Sequence, residues 1–300
     1  MPDLSVVIPS YNTASMTARC CGAVLATVPA GRSVEVIVAD DGSTDGTAGA
    51  LAEALPEVRV VRLEANRGFA PAANAGVEAA GGRLILLLNS DAMVEAGALQ
   101  ALLAAFDGDP RLGVAGARLL NEDGSAQWSG GRTPTLPWMI GVVSGLGSLA
   151  RLVRRSGSAA PRREVDWVSG AAMAFRDDVW QTAGPLDERF LFYCQDIEFC
   201  LRAKAAGWNV RILEEARVTH GLGRTVAAES ALQHDPERLW ADLLTWGAAY
   251  YGPTWAAGAR VVLVSVAAMR VCLRVLRRPW LVDAMTRAMA RGVRRMSMKT

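Results

Sequence analysis

Four short apolar runs punctuate the first third of the chain, at Leu4–Ile8, Val34–Ala39, Val58–Leu63 and Leu84–Leu88. Three of them are near-continuous series of Val, Ile, Leu and Ala, the pattern of strands buried on both faces of a sheet, and Val58–Leu63 is broken by Arg59 and Arg62. Alanine-rich stretches of helical character separate them, each long enough for a crossover helix. The pattern therefore predicts an α/β fold with a mostly parallel central sheet. Three of the runs open onto polar or turn-forming residues: Pro9, Ser10, Tyr11 and Asn12 after the first, Asp40 through Thr47 after the second, and Asn89, Ser90 and Asp91 after the fourth. In such sheets ligands gather beyond the carboxyl ends of the strands.

These polar ends hold the candidate chemistry. Asn89 and Asp91 present oxygens suited to a hard cation that shares its shell with substrate phosphates, although Asn and Asp also end strands as ordinary turn residues. Asp40 directly follows a buried run, where a carboxylate can accept from a base N–H or a ribose hydroxyl. Asp41 and Asp45 read as solvated turn or cap residues, and Ser43–Thr47 as a turn that caps the next helix. No GxGxxG follows the first strand, which disfavours a dinucleotide-binding unit. Further on, Ile197, Cys200, Leu201 and Lys204 fall at helical spacing, Gly207 stops the helix, and Asp196 stands at its start, where capping alone explains a carboxylate. Of the two histidines, His220 follows a strand-like segment and His234 sits in a polar stretch with no assigned role.

Composition and charge change this picture mainly at the carboxyl end. With 300 residues, 51% of them hydrophobic, the chain is long enough for one large α/β domain with an appendage. Met1, Pro2 and Asp3 lead straight into the first apolar run without the pattern of a secretory signal, so a cytoplasmic location is expected. Five cysteines without paired spacing read as reduced thiols, with no disulfide or zinc. Net charge is +2, yet Arg260–Thr300 alone carries +9, leaving −7 for the rest. Within it Arg260, Arg270, Arg274, Arg277 and Arg278 share one face of a helix while Val262, Val266 and Met269 project elsewhere. Pro279 interrupts the helix, and Arg287, Arg291, Arg294 and Arg295 share a second face.

Such basic amphipathic helices either lie on an anionic membrane surface, with Trp240, Trp246, Tyr250, Tyr251, Trp255 and Trp280 at headgroup level, or pack as a hairpin with a solvated basic face. No nucleic-acid-binding motif accompanies them. An irregular insert runs from Thr133 to Arg163, with Pro134, Pro137, Trp138, apolar Ile140–Val143 and a basic Ser/Gly/Pro stretch. It reads either as a disordered loop or as a mobile lid that also touches the membrane.

The succession Ser5–Asn12 followed by Asp40–Thr47 resembles the opening of a family 2 glycosyltransferase of the GT-A fold. Asn66, Arg67, Gly68, Phe69 and Ala70, then Asn74, Ala75 and Gly76, are similar to the family's Asn-x-Gly segment and the helix behind it. Asn89, Ser90 and Asp91 match its metal-binding DXD position, with Asn at the first acid as in the rhamnosyltransferase-like branch. Val168–Phe175 resembles the small-residue strand bordering the acceptor cleft, and Ala216–His220 the run ending in a histidine near metal and diphosphate. Leu186–Glu198 is similar to the acidic segment before the catalytic helix, with Gln195 in place of Glu and Glu198 in place of Asp, while the central Asp196 is retained.

The resemblance, over residues 4–225, implies inverting, non-processive transfer from a nucleoside-diphosphate sugar, with Asp196 as general base. It implies a donor site of Pro9, Tyr11, Asp40, Asp41, Asn66, Arg67, Gly68, Asn74, Asn89 and Ser90, and Mg²⁺ or Mn²⁺ on Asp91, Asn89 and His220. It also implies an acceptor site at Trp167, Gly170 and Gln195, with Arg67 or Arg224 supplementing the charge at the phosphates. Processive synthases of the family carry a Gln-x-x-Arg-Trp motif and membrane spans, and this sequence shows neither. The expected organisation is a GT-A domain at 1–225, with a nucleotide-sugar half at 1–120, an insert at 133–163 and an acceptor half at 165–225, then a helical membrane-surface region at 226–300. The expected donor sugar is rhamnose or similar, and the expected acceptor is lipid-linked or a surface polysaccharide at the inner face of the cell membrane. Because Asn89 and Gln195 depart from the acidic pattern, a nucleotide-sugar-binding pseudoenzyme or scaffold is the alternative. Nucleotidyl transfer is disfavoured because no glycine-rich basic loop follows the first strand.

Overall fold

A computed structural model describes residues 1–144, 163–190, 193–221 and 236–275. Expectations that fall on Arg224, His234, Trp280 and the second basic helix, and the boundary at 225, lie outside the described residues.

The chain forms two compact units, the first built from the described residues within Met1–Arg132, Pro161–Arg189 and Gln195–Ser230. Its nine-stranded sheet uses β1 (Leu4–Ser10), β2 (Val34–Asp40), β3 (Arg59–Arg62), β4 (Leu84–Leu88), β5 (Ala92–Val94), β6 (Leu112–Leu120), β8 (Arg163–Glu164), β10 (Ala172–Arg176) and β11 (Asn209–His220). The order is β3-β2-β1-β4-β10-β6-β11-β5, with β8 beside β11. The first four pair in parallel, and β10 runs against both of its neighbours β4 and β6. β11 is parallel to β6. Six strands thus run one way and only β5, β8 and β10 oppose them, giving the mostly parallel α/β sheet expected of a GT-A fold. A separate pair, β7 (Gly130–Gly131) and β9 (Trp167–Val168), is antiparallel.

Helices cover both faces, which explains the unbroken apolar runs. Leu4, Val6, Ile8, Leu84, Leu86 and Leu88 pack with Cys20, Cys21 and Val24 of α1 (Ala14–Ala26) and Leu99, Leu102 and Phe106 of α4 (Ala98–Gly108). On the other face α3 (Phe69–Glu78) lies so close to β1 that a Cβ on Gly76 would run into Val7. Helices α2 (Thr47–Ala54), α6 (Asp177–Ala183) and α7 (Gln195–Ala205) complete the unit.

The second unit is drawn from Thr133–Ala160, Phe190–Cys194 and Ala231–Thr300, and its described helices are α5 (Leu136–Ser144), α8 (Pro236–Tyr251) and α9 (Pro253–Val275). Part of the expected insert is therefore helical. Trp240 and Trp246, expected at headgroup level, are buried, because α8 turns them inward with Leu243 and Leu244. Trp246 stacks on the exposed Tyr250 at 5.2 Å and meets Trp255 edge-on at 6.3 Å. On α9 the buried stripe is Ala256, Ala259, Leu263 and Ala267, and Arg260 is half-buried, while the side chains of Arg270, Arg274, Arg277 and Arg278 of the expected basic face lie outside the described residues. The exposed described positions from Ala257 onward are Ala257, Val261, Val264, Ser265, Ala268, Met269, Val271 and Cys272, none of them charged. Among the described residues no helix is long and apolar enough to cross a membrane.

All five cysteines are free thiols, buried at Cys20, Cys21, Cys194 and Cys200 and exposed at Cys272. Burial pushes Cys20 and Cys200 upward in pKa and Cys21 to about 12.

Candidate functional site

Because β1, β2, β4, β6 and β11 run the same way, their carboxyl ends share one edge of the sheet, and the antiparallel β10 begins there. Topology alone thus gathers Ser10–Asn12, Asp40–Ser43, Asn89–Asp91, Gly170–Ala171 and His220.

At the β1/β2 side the loops brace one another. Asn12, in the left-handed region at φ +51°, donates its N–H to Ser43 Oγ at 2.9 Å and accepts from the Thr44 N–H at 2.8 Å. Asp40 is fully buried; its Oδ1 accepts from the Ser43 N–H at 3.0 Å, while Oδ2 has no hydrogen-bond partner and lies 3.7 Å from Arg62 Nε. A buried carboxylate oxygen in that state is poised for a donor from outside the protein. Gly42 adopts φ +74° with its Cβ position 2.8 Å from the Ala65 backbone, so only glycine lets this loop close on the next.

Asp41 spans the same gap. It is buried rather than solvated, and its carboxylate accepts from the Arg67 and Gly68 N–H groups at 2.8 Å each. Burial raises its pKa and the two N–H donors counter that rise. Asp45 is a cap as expected, accepting from the Ala14 N–H at 3.1 Å and the Thr47 N–H at 3.0 Å. Pro9 is buried within β1, Tyr11 is half-buried, and Asn66 and Arg67 lie exposed at the rim.

The Asn74 side chain faces protein. Its Oδ1 accepts from the Leu186 N–H at 3.0 Å, and its Nδ2 donates to Leu186 O at 3.0 Å and Glu188 Oε1 at 3.2 Å. Arg67 reaches the other Glu188 oxygen at 3.0 Å. The segment before α7 is thereby tied to the Arg67–Gly68 loop.

At the end of β4, the Asn89 N–H donates to Ala171 O, and Ser90 Oγ accepts from Thr13 Oγ1 at 3.4 Å, within a buried hydroxyl cluster of Ser10, Thr13 and Thr17. Asp91 Oδ1 lies 3.2 Å from His220 Nε2, and Asn89 Nδ2 lies 3.2 Å from the same nitrogen. Gln127, which the sequence pattern did not single out, places Oε1 3.0 Å from His220 Nδ1 and donates from Nε2 to His220 O at 2.5 Å and Leu120 O at 3.3 Å. Since carbonyls only accept, the amide orientation is fixed and Nδ1 must carry a proton. With that proton on Nδ1, Nε2 is the ring nitrogen turned toward Asp91 Oδ1 and the Asn89 amide. The 3.2 Å between Asp91 Oδ1 and His220 Nε2 is close to the roughly 3 Å between adjacent ligands of an octahedral ion with bonds of about 2.1 Å. The donor set of one carboxylate oxygen and one imidazole fits Mg²⁺ or Mn²⁺ with phosphate and water completing the shell. Among the described residues no group of three or more His, Cys, Asp or Glu side chains gathers.

On the other side of this edge, Asp196 stands in the first turn of α7. Its Oδ2 accepts from the Gly170 N–H at 3.0 Å and its Oδ1 from the Ile197 N–H at 2.8 Å. Burial raises its pKa above the ordinary aspartate value, against the lowering by these N–H groups. A Cβ at Gly170 would lie 3.6 Å from Asp196 Cβ and 3.9 Å from Phe69, so the glycine keeps the approach to the carboxylate open. Gln195 is buried, as is Trp167, whose indole N–H donates to Arg132 O at 3.1 Å. Trp128 meets Trp167 edge-on at 5.0 Å and is exposed.

Residues 5–179 match the family described as Glycosyl transferase family 2. The chain is 29% identical over 223 residues to an N-acetylglucosaminyl-diphospho-decaprenol L-rhamnosyltransferase of Mycobacterium tuberculosis, covering 68% of this chain and 73% of that one. It is 40% identical over 109 residues to the succinoglycan biosynthesis protein ExoO of Rhizobium meliloti, covering 36% of this chain and 30% of that one. Among solved structures it is similar to the mannosyltransferase PcManGT of Pyrobaculum calidifontis in complex with GDP-Man and Mn²⁺, at TM-score 0.60 and 16% identity, covering 100% of this chain and 88% of that one. A second likeness is to GalNAc-T7 with UDP, GalNAc and Mn²⁺, at TM-score 0.57 and 16% identity, covering 82% and 48%.

Proposed function

The chain belongs to glycosyl transferase family 2 and is a glycosyltransferase that draws on a nucleotide sugar, and from that premise we propose that it is an inverting, non-processive enzyme using Asp196 as general base and a divalent metal at Asp91 and His220. The observation that carries this reading is the Asp91–His220 contact, a carboxylate oxygen and a ring nitrogen held 3.2 Å apart at the ligand edge of the sheet. A divalent ion bound there would neutralise charge on the departing diphosphate. Asn89 stands beside the pair, and Arg67 at the rim supplements it.

The rest of the work belongs to the side chains. Asp40 Oδ2, buried and lacking a hydrogen bond, receives an N–H or O–H of the nucleoside. Asp41 holds the Arg67–Gly68 loop against the donor. Asp196 takes the proton of the attacking hydroxyl, and its raised pKa increases its strength as a base. Gly170 leaves room for that hydroxyl.

By likeness to the Mycobacterium tuberculosis protein, the donor sugar is rhamnose and the acceptor is a lipid-linked sugar; the resemblance to rhamnosyltransferases implies dTDP as the carrier. An acceptor of this kind places the enzyme peripherally on the inner face of the membrane. The exposed described residues of α9, none of them charged, and the +9 charge of Arg260–Thr300 support that placement.

Thermal melts with UDP, dTDP and GDP, each with and without Mn²⁺, test the donor and metal readings together, because a ligand of the native state raises the midpoint. The expected result is a rise with dTDP that Mn²⁺ enlarges. A folded protein that responds to none of the three nucleotides would sink the proposal. Sedimentation with anionic liposomes at low salt tests the membrane reading separately.

A further inference from the structure

The metal reading leaves open how His220 comes to offer the correct ring nitrogen. We propose that Gln127 is the positioning residue that fixes the tautomer and orientation of His220, so that Nε2 turns a lone pair toward a divalent cation shared with Asp91; this rests on the metal reading above. The grip has two points on one residue. Gln127 Nε2 binds the His220 main-chain oxygen and Oε1 binds ring Nδ1, across 93 positions of sequence. The second donation, to Leu120 O, prevents the amide from flipping, because a flip would turn its oxygen toward two carbonyl oxygens.

Gln127 is itself held in place. Its N–H donates to Leu119 O at 2.9 Å, and the neighbouring Ser129 Oγ accepts from the Leu119 N–H at 2.8 Å. The connection after β6 thus carries its amide to the end of β11 without freedom to slide. An amide at this position preserves neutrality around Nδ1 while still demanding the Nδ1–H tautomer. Partners that orient a metal-binding histidine in this way typically change metal affinity by about 10- to 100-fold when removed.

The experiment compares wild type with Gln127→Leu. Free Mn²⁺ is followed by electron paramagnetic resonance during titration in the presence of dTDP, and imidazole tautomers by ¹⁵N NMR without metal. The chain has only two histidines, so a His234→Gln background assigns the His220 signals. The expected result is Nδ1–H in wild type, a mixture of tautomers in Gln127→Leu, and Mn²⁺ binding weakened by roughly 10- to 100-fold in Gln127→Leu. Binding of dTDP without metal should not change. Should Gln127→Leu fail to fold, Gln127→Asn, one methylene too short to reach Nδ1, replaces it with the same expected loss. If wild type binds Mn²⁺ and the leucine variant binds it equally tightly, the role of Gln127 is overturned while the metal reading stands. If wild type binds no Mn²⁺ with nucleotide, both fall.

Discussion

The two sides of the ligand edge are built differently. On the donor side, polar side chains bind backbone N–H groups of nearby loops: Asp40 reaches 3 positions along the chain, Asp41 reaches 26 and 27, and Asn12 reaches 32. On the side of Asp91 and His220 the contacts join remote strands, Asn89 to His220 across 131 positions and Gln127 to His220 across 93. The first side is a pair of crossed loops that fixes its own shape. The second exists only once the sheet has closed, and it holds a carboxylate oxygen and a ring nitrogen 3.2 Å apart. Preorganisation by local hydrogen bonds suits recognition of a nucleoside, whereas the proposed divalent ion on the second side would meet the charge that develops on transfer.

Substitutions can break this contrast in order of expected effect. Asp196→Asn should lower turnover by at least about 100-fold while circular dichroism and the melting midpoint stay unchanged, measured as release of nucleoside diphosphate. Since burial raises the Asp196 pKa, the carboxylate is charged only above the ordinary range near about 3.9, so the acid limb of kcat/KM should lie higher than that. An acid limb at the ordinary value would remove Asp196 from the role of base.

Asp41→Ala leaves two N–H groups without their shared acceptor and should cost roughly 3–6 kcal/mol in urea unfolding, because hydrogen bonds to a charged group contribute about 1.5–3 kcal/mol each. Equal stability would mean that the donor side does not depend on its own bracing. Asn74→Ala should cost about 1–2 kcal/mol with nucleotide affinity unchanged, the signature of a clamp on Leu186 and Glu188 rather than a donor contact. The smallest effect belongs to Arg67 and Glu188, whose side chains are 60% and 44% exposed; a double-mutant cycle should give no more than about 1 kcal/mol of coupling. A higher KM for the donor in Arg67→Ala at unchanged stability would place Arg67 at the phosphates.

Much of the donor side was legible in the sequence because unbroken apolar runs mark strands with two buried faces, and the residues after them must lie at one edge. Asp41 illustrates the limit. Its two partners belong to the Arg67–Gly68 loop, so a pattern of turn residues could not distinguish a brace from a solvated acid. Gln127 was invisible for a related reason: it follows the turn-rich Asn121–Ser125 segment, and its function depends on the far end of β11. The insertion of β10 against the direction of β4 and β6 is likewise a matter of tertiary pairing. In the second unit, helical periodicity showed that a face exists without showing what covers it, which is why Trp240 and Trp246 proved to be interior.

The distribution of thiols has a practical consequence. Cys20, with its Sγ 3.5 Å from Asn89 O, and Cys21, Cys194 and Cys200 are all buried, whereas Cys272 is exposed on a face of α9 whose exposed described residues are uncharged. Alkylating reagents need an accessible thiolate, so an environment-sensitive maleimide dye will attach to the natural chain at Cys272. The fluorophore then sits beside Ala268 and Val271, and a blue shift on adding vesicles would report directly whether this face leaves water.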